Sequence, residues 1–141
     1  MFKVLIADKL SEEAVRIFTD NGIEAIVKNG LDESALIEEL QDYDGLVVRS
    51  ATKATKKVIE SSKKLKVIGR AGIGVDNIDL EAATSNGKVV MNTPFGNSIT
   101  TAEHAITLLL STARQIPFAS QTTHEGKWEK SSIKGIEVTG K

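Results

Sequence analysis

The chain has 141 residues, 40% of them hydrophobic and 26% charged, with 18 Lys and Arg against 19 Asp and Glu and a net charge of −1. That balance fits a soluble globular domain with a single core and excludes a disordered chain; it supplies no basic surface for phosphate backbones, so nucleic acid is not an expected partner. There is no cysteine, and His104 and His124 lie far apart, so disulfides, thiol nucleophiles and a local metal pair are not expected. No apolar run approaches the roughly 18 residues of a membrane span, so no membrane association is expected and a cytoplasmic location is.

In chain order, Val4–Ala7 is a short branched apolar run, the pattern of a strand buried on both faces. Ser11 is a candidate N-cap for a helix whose apolar face is Ala14, Val15, Ile17 and Phe18, and Asn21-Gly22 ends it. Glu24–Val27 reads as a second strand. Asp32 caps a helix carrying Leu36, Ile37 and Leu40, and Gly45–Val48 is a third strand. The cycle repeats with a helix over Thr55–Ser62, a strand over Lys66–Gly69, a helix over Asp79–Asn86 and a strand over Lys88–Met91. Five strands alternating with helices predict the α/β class, a mostly parallel twisted sheet with right-handed crossovers.

Pro94 and Gly96 look like a hinge, which divides the chain into residues 1–97 and 98–141. From Ser98, a candidate cap, a long helix pattern runs to Gln115. Beyond Pro117 the segment is polar, with Trp128 as its only bulky anchor. Should the chain be the front part of a longer protein, Ile106, Leu109 and Leu110 would form an exposed apolar face.

Three turns at the carboxyl ends of strands carry the candidate chemistry. Gly72, Ile73 and Gly74 follow the fourth strand, where backbone N–H groups can converge on a carboxylate or phosphate; the alternative is a tight turn that needs glycine dihedrals. Asn77 stands where a dinucleotide fingerprint requires its third glycine, so the turn is not a pyrophosphate site. Arg49 and Ser50 end the third strand, and with Arg70 they put two cations and a hydroxyl on one rim; the bland reading is that each Arg solvates a strand end or pairs with a surface acid. Asn97, after the fifth strand, can donate and accept at once. Glu103 and His104 are adjacent on a helix and do not face each other, so a structural His104, packed or hydrogen-bonded, is expected and no catalytic dyad.

The blocks LVVRSATK, KLKVIGRAGIGVDNIDLEAAT, VVMNTPFGNSITTAEHAITLLLSTARQIP and GKWEKSSIKGIEVTGK together resemble the D-isomer-specific 2-hydroxyacid dehydrogenases, over essentially the whole chain. The resemblance implies a flavodoxin-like substrate-binding domain over 1–97, then a crossover helix and the start of an NAD-binding domain over 98–141. It implies NAD-dependent oxidation of a phosphorylated 2-hydroxy acid, 3-phospho-D-glycerate, to 3-phosphohydroxypyruvate in L-serine biosynthesis. Gly72, Ile73 and Gly74 match the family's clamp on the substrate carboxylate, with Ile73 also beside the nicotinamide; Arg49, Ser50 and Arg70 match substrate-anion positions, and Asn97 matches a position near both substrate and nicotinamide. The Lys127-Trp128-Glu129 region matches a segment that packs on a second subunit, so a homo-oligomer is implied, and Lys130 would reach that subunit's site. The family's GxGxxG turn and its hydride- and proton-transferring Arg, Glu and His have no match in this chain, which alone is expected to be inactive and to bind NAD poorly. A free-standing small-anion binding module, or a family member acting on another D-2-hydroxy acid, are the alternatives. A phospho-receiver domain fits less well, because the rim is cationic where that chemistry needs clustered carboxylates.

Overall fold

Runs of branched residues form five strands of four residues each: β1 (Lys3–Ile6), β2 (Glu24–Val27), β3 (Gly45–Val48), β4 (Val67–Arg70) and β5 (Val89–Asn92). In the computed structural model, which describes residues Met1–Lys141, they pair in parallel in the order β2-β1-β3-β4-β5. This is the flavodoxin-like order, whose direction reverses between β1 and β3 and opens a crevice at their carboxyl ends. The register that matters for function pairs Val48 with Arg70 and Arg70 with Asn92.

The crossovers are α1 (Glu12–Asp20), α2 (Glu33–Glu39), α3 (Lys56–Ser61) and α4 (Leu80–Ser85), with a 3-10 turn at Leu40–Asp42. Three of them start on side-chain caps: Asp32 accepts from the Ala35 N–H at 2.8 Å, Thr55 from Val58 at 3.4 Å and Asp79 from Ala82 at 2.9 Å. Ser11 occupies the N-cap of α1 in extended backbone, but its hydroxyl accepts nothing; Glu12 and Glu13 in the first turn favour that end instead. No residue of α1 is fully buried: Ala14, Val15 and Phe18 are half-buried and Ile17 is 55% exposed, so the covered face of α1 is narrower than its sequence pattern indicates.

Leu36, Leu40, Val58, Ile59, Ala82 and Ala83 close over Leu5, Leu46, Val48 and Ile68 to make the core on one sheet face. Val4 and Ile6 are buried on the opposite face, where Val89 and Met91 at the β5 edge lie 57% and 59% exposed. Strands β4 and β5 begin one residue later than the sequence pattern suggests, and β1 one earlier, because pairing with neighbours sets strand ends while apolarity only marks their middles.

Two compact units divide at Gly96 and Asn97. The second holds α5 (Ser98–Ala113), the long helix expected from Ser98, and α6 (Ile116–His124), most of which lies in the segment read from sequence as a polar tail. Gln115 takes a left-handed φ of 53° and breaks the helical path, and Pro117 sits in the first turn of α6, where its missing N–H costs nothing. The Gln115 side chain donates to Lys134 O at 2.9 Å and Ile136 N–H to Ala113 O at 2.7 Å, folding the last residues back on the α5–α6 junction. Trp128 is 81% exposed and anchors nothing within the chain. Asn97, not Ser98, is the N-cap of α5, and its side chain makes no capping bond. No residue of α5 is buried, so His104 is exposed rather than packed, and Ile106, Leu109 and Leu110 lie 58%, 57% and 44% exposed. No helix is long and apolar enough to cross a membrane.

Charge is used structurally at the amino edge of the sheet. Lys88 is buried, and its ammonium donates to Ile59 O and Ser62 O, each at 2.5 Å, closing the end of α3; burial pushes its pKa down. Lys88→Met should lower the unfolding free energy by roughly 2–3 kcal/mol in denaturant titration, since two buried carbonyls lose their donor. Asp44 accepts the Lys3 N–H and the Lys66 ammonium, both at 3.1 Å, and these bonds, the backbone one foremost, hold its carboxyl below the ordinary carboxylate range. A carboxyl depressed on folding stabilises above its unfolded pKa and loses that contribution as pH falls through the folded value. Asp44→Asn should therefore flatten the fall in melting temperature below about pH 4.

Candidate functional site

The site is built at the carboxyl edge, where the chain leaves β1, β3, β4 and β5. Asp8, two residues past β1, is 6% exposed. One of its carboxylate oxygens accepts the Arg49 N–H at 2.5 Å and the Thr52 N–H at 3.2 Å, and the other accepts the Thr52 hydroxyl at 2.8 Å. The turn after β3 is thus wrapped around a buried carboxylate at the switch point. This leaves Arg49 and Ser50 exposed at the rim; the Arg49 guanidinium makes one long bond, from Nη1 to Lys9 O at 3.3 Å.

Arg70 behaves differently from Arg49. It is the last residue of β4, its side chain is only 12% exposed, and its Nε donates to Asn77 Oδ1 at 2.8 Å. The Asn77 amide nitrogen in turn donates to Arg49 O and to Thr52 O, both at 2.6 Å. Asp76, 87% exposed, stands 3.9 Å from Arg70 Nη2, a loose and solvated ion pair of little weight. The two terminal guanidinium nitrogens make no hydrogen bond, so the planar fork keeps donors for an anion.

The glycine turn between them is not held by glycine dihedrals. Neither Gly72 nor Gly74 has positive φ, which corrects that alternative. Gly72 is instead a place of close approach, since a Cβ there would lie 2.3 Å from Arg70 Nη1. The N–H groups of Ala71 and Gly72 are consumed by Val48 O and Arg70 O, whereas those of Ile73 and Gly74 donate to no protein acceptor. Ile73 is 44% exposed. Asn92 donates to Ile73 O at 2.7 Å, and Thr93 N–H to Gly72 O at 3.0 Å, so the end of β5 braces the same turn. A parallel bridge between Ala54 and Ile78 joins the loops after β3 and β4. Ala54 N–H bonds Asn77 O at 2.9 Å, and Asp79 N–H bonds Ala54 O at 3.0 Å.

Arg49, Ser50, Arg70, Gly72, Ile73 and Gly74 therefore share one edge of the first unit, and Asn97 belongs to the second. The sequence reading missed the residues that organise this edge. Asn77 figured in it only as an interruption of a glycine pattern, and Asp8 was assigned no role. Asp8 directly follows the first predicted strand, which was the one signal available for it, whereas Asn77 lies seven residues past β4 and carried none.

The glycine turn does not fit the pyrophosphate of a dinucleotide. The helix after the glycine turn, α4, has six residues, and its N-terminus is already occupied by the Asp79 carboxylate, with Asp76 nearby in sequence; a pyrophosphate would meet two negative charges there.

The family model for the catalytic domain of D-isomer specific 2-hydroxyacid dehydrogenases matches residues 4–132. The chain belongs to this family. Among curated relatives of this dehydrogenase family member, D-3-phosphoglycerate dehydrogenase of Archaeoglobus fulgidus is 53% identical over 139 residues, and that of Homo sapiens 50% identical over 139. Each match takes in 99% of this chain and 26% of the relative, so the chain spans about a quarter of the length of these proteins. Among solved structures, a Pyrococcus horikoshii protein is 30% identical with a TM-score of 0.85, covering 97% of this chain and 42% of that one. An NAD+-bound 3-phosphoglycerate dehydrogenase of Entamoeba histolytica is 34% identical with a TM-score of 0.69, covering 80% and 39%.

Removing the buried carboxylate that shapes this dehydrogenase edge should be costly. Asp8→Ala leaves two N–H groups unpaired and the Thr52 hydroxyl with only its long bond to Ala7 O at 3.4 Å, and should lower stability by roughly 2–4 kcal/mol, measured by denaturant unfolding. Thr52→Val, which removes one of the three bonds, should cost about 1 kcal/mol by the same measurement.

Proposed function

We propose that this chain forms the substrate-anion side of an NAD-dependent dehydrogenase that oxidises 3-phospho-D-glycerate to 3-phosphohydroxypyruvate. The observation that carries the reading is the Arg70 guanidinium, restrained by a neutral amide and with its outer donors unpaired, on the strand next to the one that Arg49 directly follows. Two such cations suit a substrate with a carboxylate at one end and a phosphate at the other. The names of the relatives support the choice of substrate.

In this reading the free N–H groups of Ile73 and Gly74 hold the substrate carboxylate, in the turn that Gly72 makes room for. Arg49, Ser50 and Arg70 hold the remaining negative charge. The exposed apolar face of Ile73 serves as a contact for the nicotinamide, and Asn97 as a polar contact to both substrate and nicotinamide. The pyrophosphate of NAD is held by parts of the whole enzyme outside these residues, as are the groups that move hydride and proton. A homo-oligomer belongs to the same reading, supported by the uncovered Trp128 beside Lys127.

These groups bind an anion whose charge is present in ground and transition states alike, so they act on binding more than on turnover. In the whole enzyme, Arg49→Ala and Arg70→Ala should each raise KM for 3-phospho-D-glycerate by about 10- to 100-fold, with a smaller change in kcat, in steady-state assays of NAD reduction. Unchanged KM in both variants would remove these residues from the site.

A further inference from the structure

Arg70 has a long, flexible side chain, and an anion site gains from holding its guanidinium in place before the ligand arrives. Its own strand does not do this, and its acidic neighbour Asp76 is 87% exposed and 3.9 Å away. One side chain bonds the guanidinium at short range, the Asn77 amide. We propose that Asn77 is the positioning residue of the site: it fixes the Arg70 guanidinium relative to the Arg49–Thr52 loop while leaving the positive charge of Arg70 free for the substrate. The inference rests on the reading of this edge as the substrate-anion site.

The choice of an amide over other side chains follows from the three bonds it makes. The carbonyl oxygen faces a donor, Arg70 Nε, and the amide nitrogen faces two acceptors, Arg49 O and Thr52 O, each at 2.6 Å. The orientation of the amide is therefore set by its partners, since a flip would oppose nitrogen to Nε–H and oxygen to two carbonyls. Aspartate could accept from Arg70, but it would neutralise the guanidinium and repel both carbonyls. Leucine or alanine would leave the Nε–H and two carbonyls without partners. Only a neutral group that accepts once and donates twice satisfies all three and leaves the cation uncompensated. Asn77 is itself held, because its backbone oxygen accepts from Ala54 N–H at 2.9 Å within the Ala54–Ile78 bridge. Gly72 completes the arrangement by leaving open the space that Nη1 occupies.

The test is a double-mutant cycle on the whole enzyme, with 3-phospho-D-glycerate and, separately, NAD titrated by calorimetry. Asn77→Ala should weaken 3-phospho-D-glycerate binding by about tenfold and leave NAD binding within about twofold. In an Arg70→Ala background the same substitution should cost less than about twofold, because the group it positions is gone. An undiminished effect of Asn77→Ala in that background, wild-type substrate affinity in Asn77→Ala, or an equal loss of NAD and substrate binding would each overturn the proposal. Asn77→Ser, which keeps a small polar group in place, is read by the same criteria if the alanine variant does not fold. Wild-type affinity in both Arg49→Ala and Arg70→Ala would instead overturn the reading of the site, and this inference with it.

Discussion

The Arg49–Thr52 loop is gripped from two sides: the Asp8 carboxylate accepts two of its N–H groups, and the Asn77 amide donates to two of its carbonyls. A loop at the end of a buried strand has backbone groups that neither the sheet nor a helix can satisfy, and leaving them unpaired would cost more than the side chains that bind them. Once both grips are in place, the loop has little freedom, and everything it presents points from a fixed base. The Ala54–Ile78 bridge and the Asn92 contact to Ile73 O extend the same restraint to the neighbouring turns.

The two edges of the sheet use charge in opposite ways. At the amino edge, the Asp44 carboxylate sits among Lys3, Lys64 and Lys66, accepting from the Lys3 backbone and the Lys66 ammonium, so these charges offset one another, while the donors of the buried Lys88 ammonium are spent on two carbonyls. At the carboxyl edge, Arg49 and Arg70 meet a backbone carbonyl, a neutral amide and one exposed acid, and keep unpaired donors. A cation whose partners are neutral retains its field, whereas one in a tight ion pair does not. The asymmetry agrees with anion binding at the carboxyl edge of a parallel sheet and structural work at the amino edge.

The second unit is organised by backbone conformation more than by a core. Its helices are separated by a left-handed Gln115, and the final residues return to the junction through Gln115 and Ala113. Thr122 is buried, and its hydroxyl bonds Phe118 O and Ala119 O within its own helix. Helix α5 has no buried residue, and three consecutive leucines, Leu108, Leu109 and Leu110, are exposed along it. A Thr-rich segment behind a proline gives a weak helical pattern, which is why α6 escaped a reading based on apolar periodicity.

By itself the amino-acid sequence determined the α/β class, the five strands and their alternation with helices, because short branched runs and helical stripes are local signals that packing then reinforces. It also determined the rim: Arg49, Ser50 and the Gly72–Gly74 turn follow directly from lying at strand ends. Tertiary structure decided the rest. That Arg70 is sheltered on Asn77 while Arg49 is exposed, and that Gly72 lies close to the Arg70 guanidinium with ordinary dihedrals, is decided by the path of the turn after β4, and that Asp8 lies beneath Thr52 depends on which strands are neighbours. The contacts of Asp8 span 41 and 44 residues, and those of Asn77 reach 28. Spacing along a chain carries no record of a hydrogen bond formed between turns that only the parallel register β1-β3-β4 brings together.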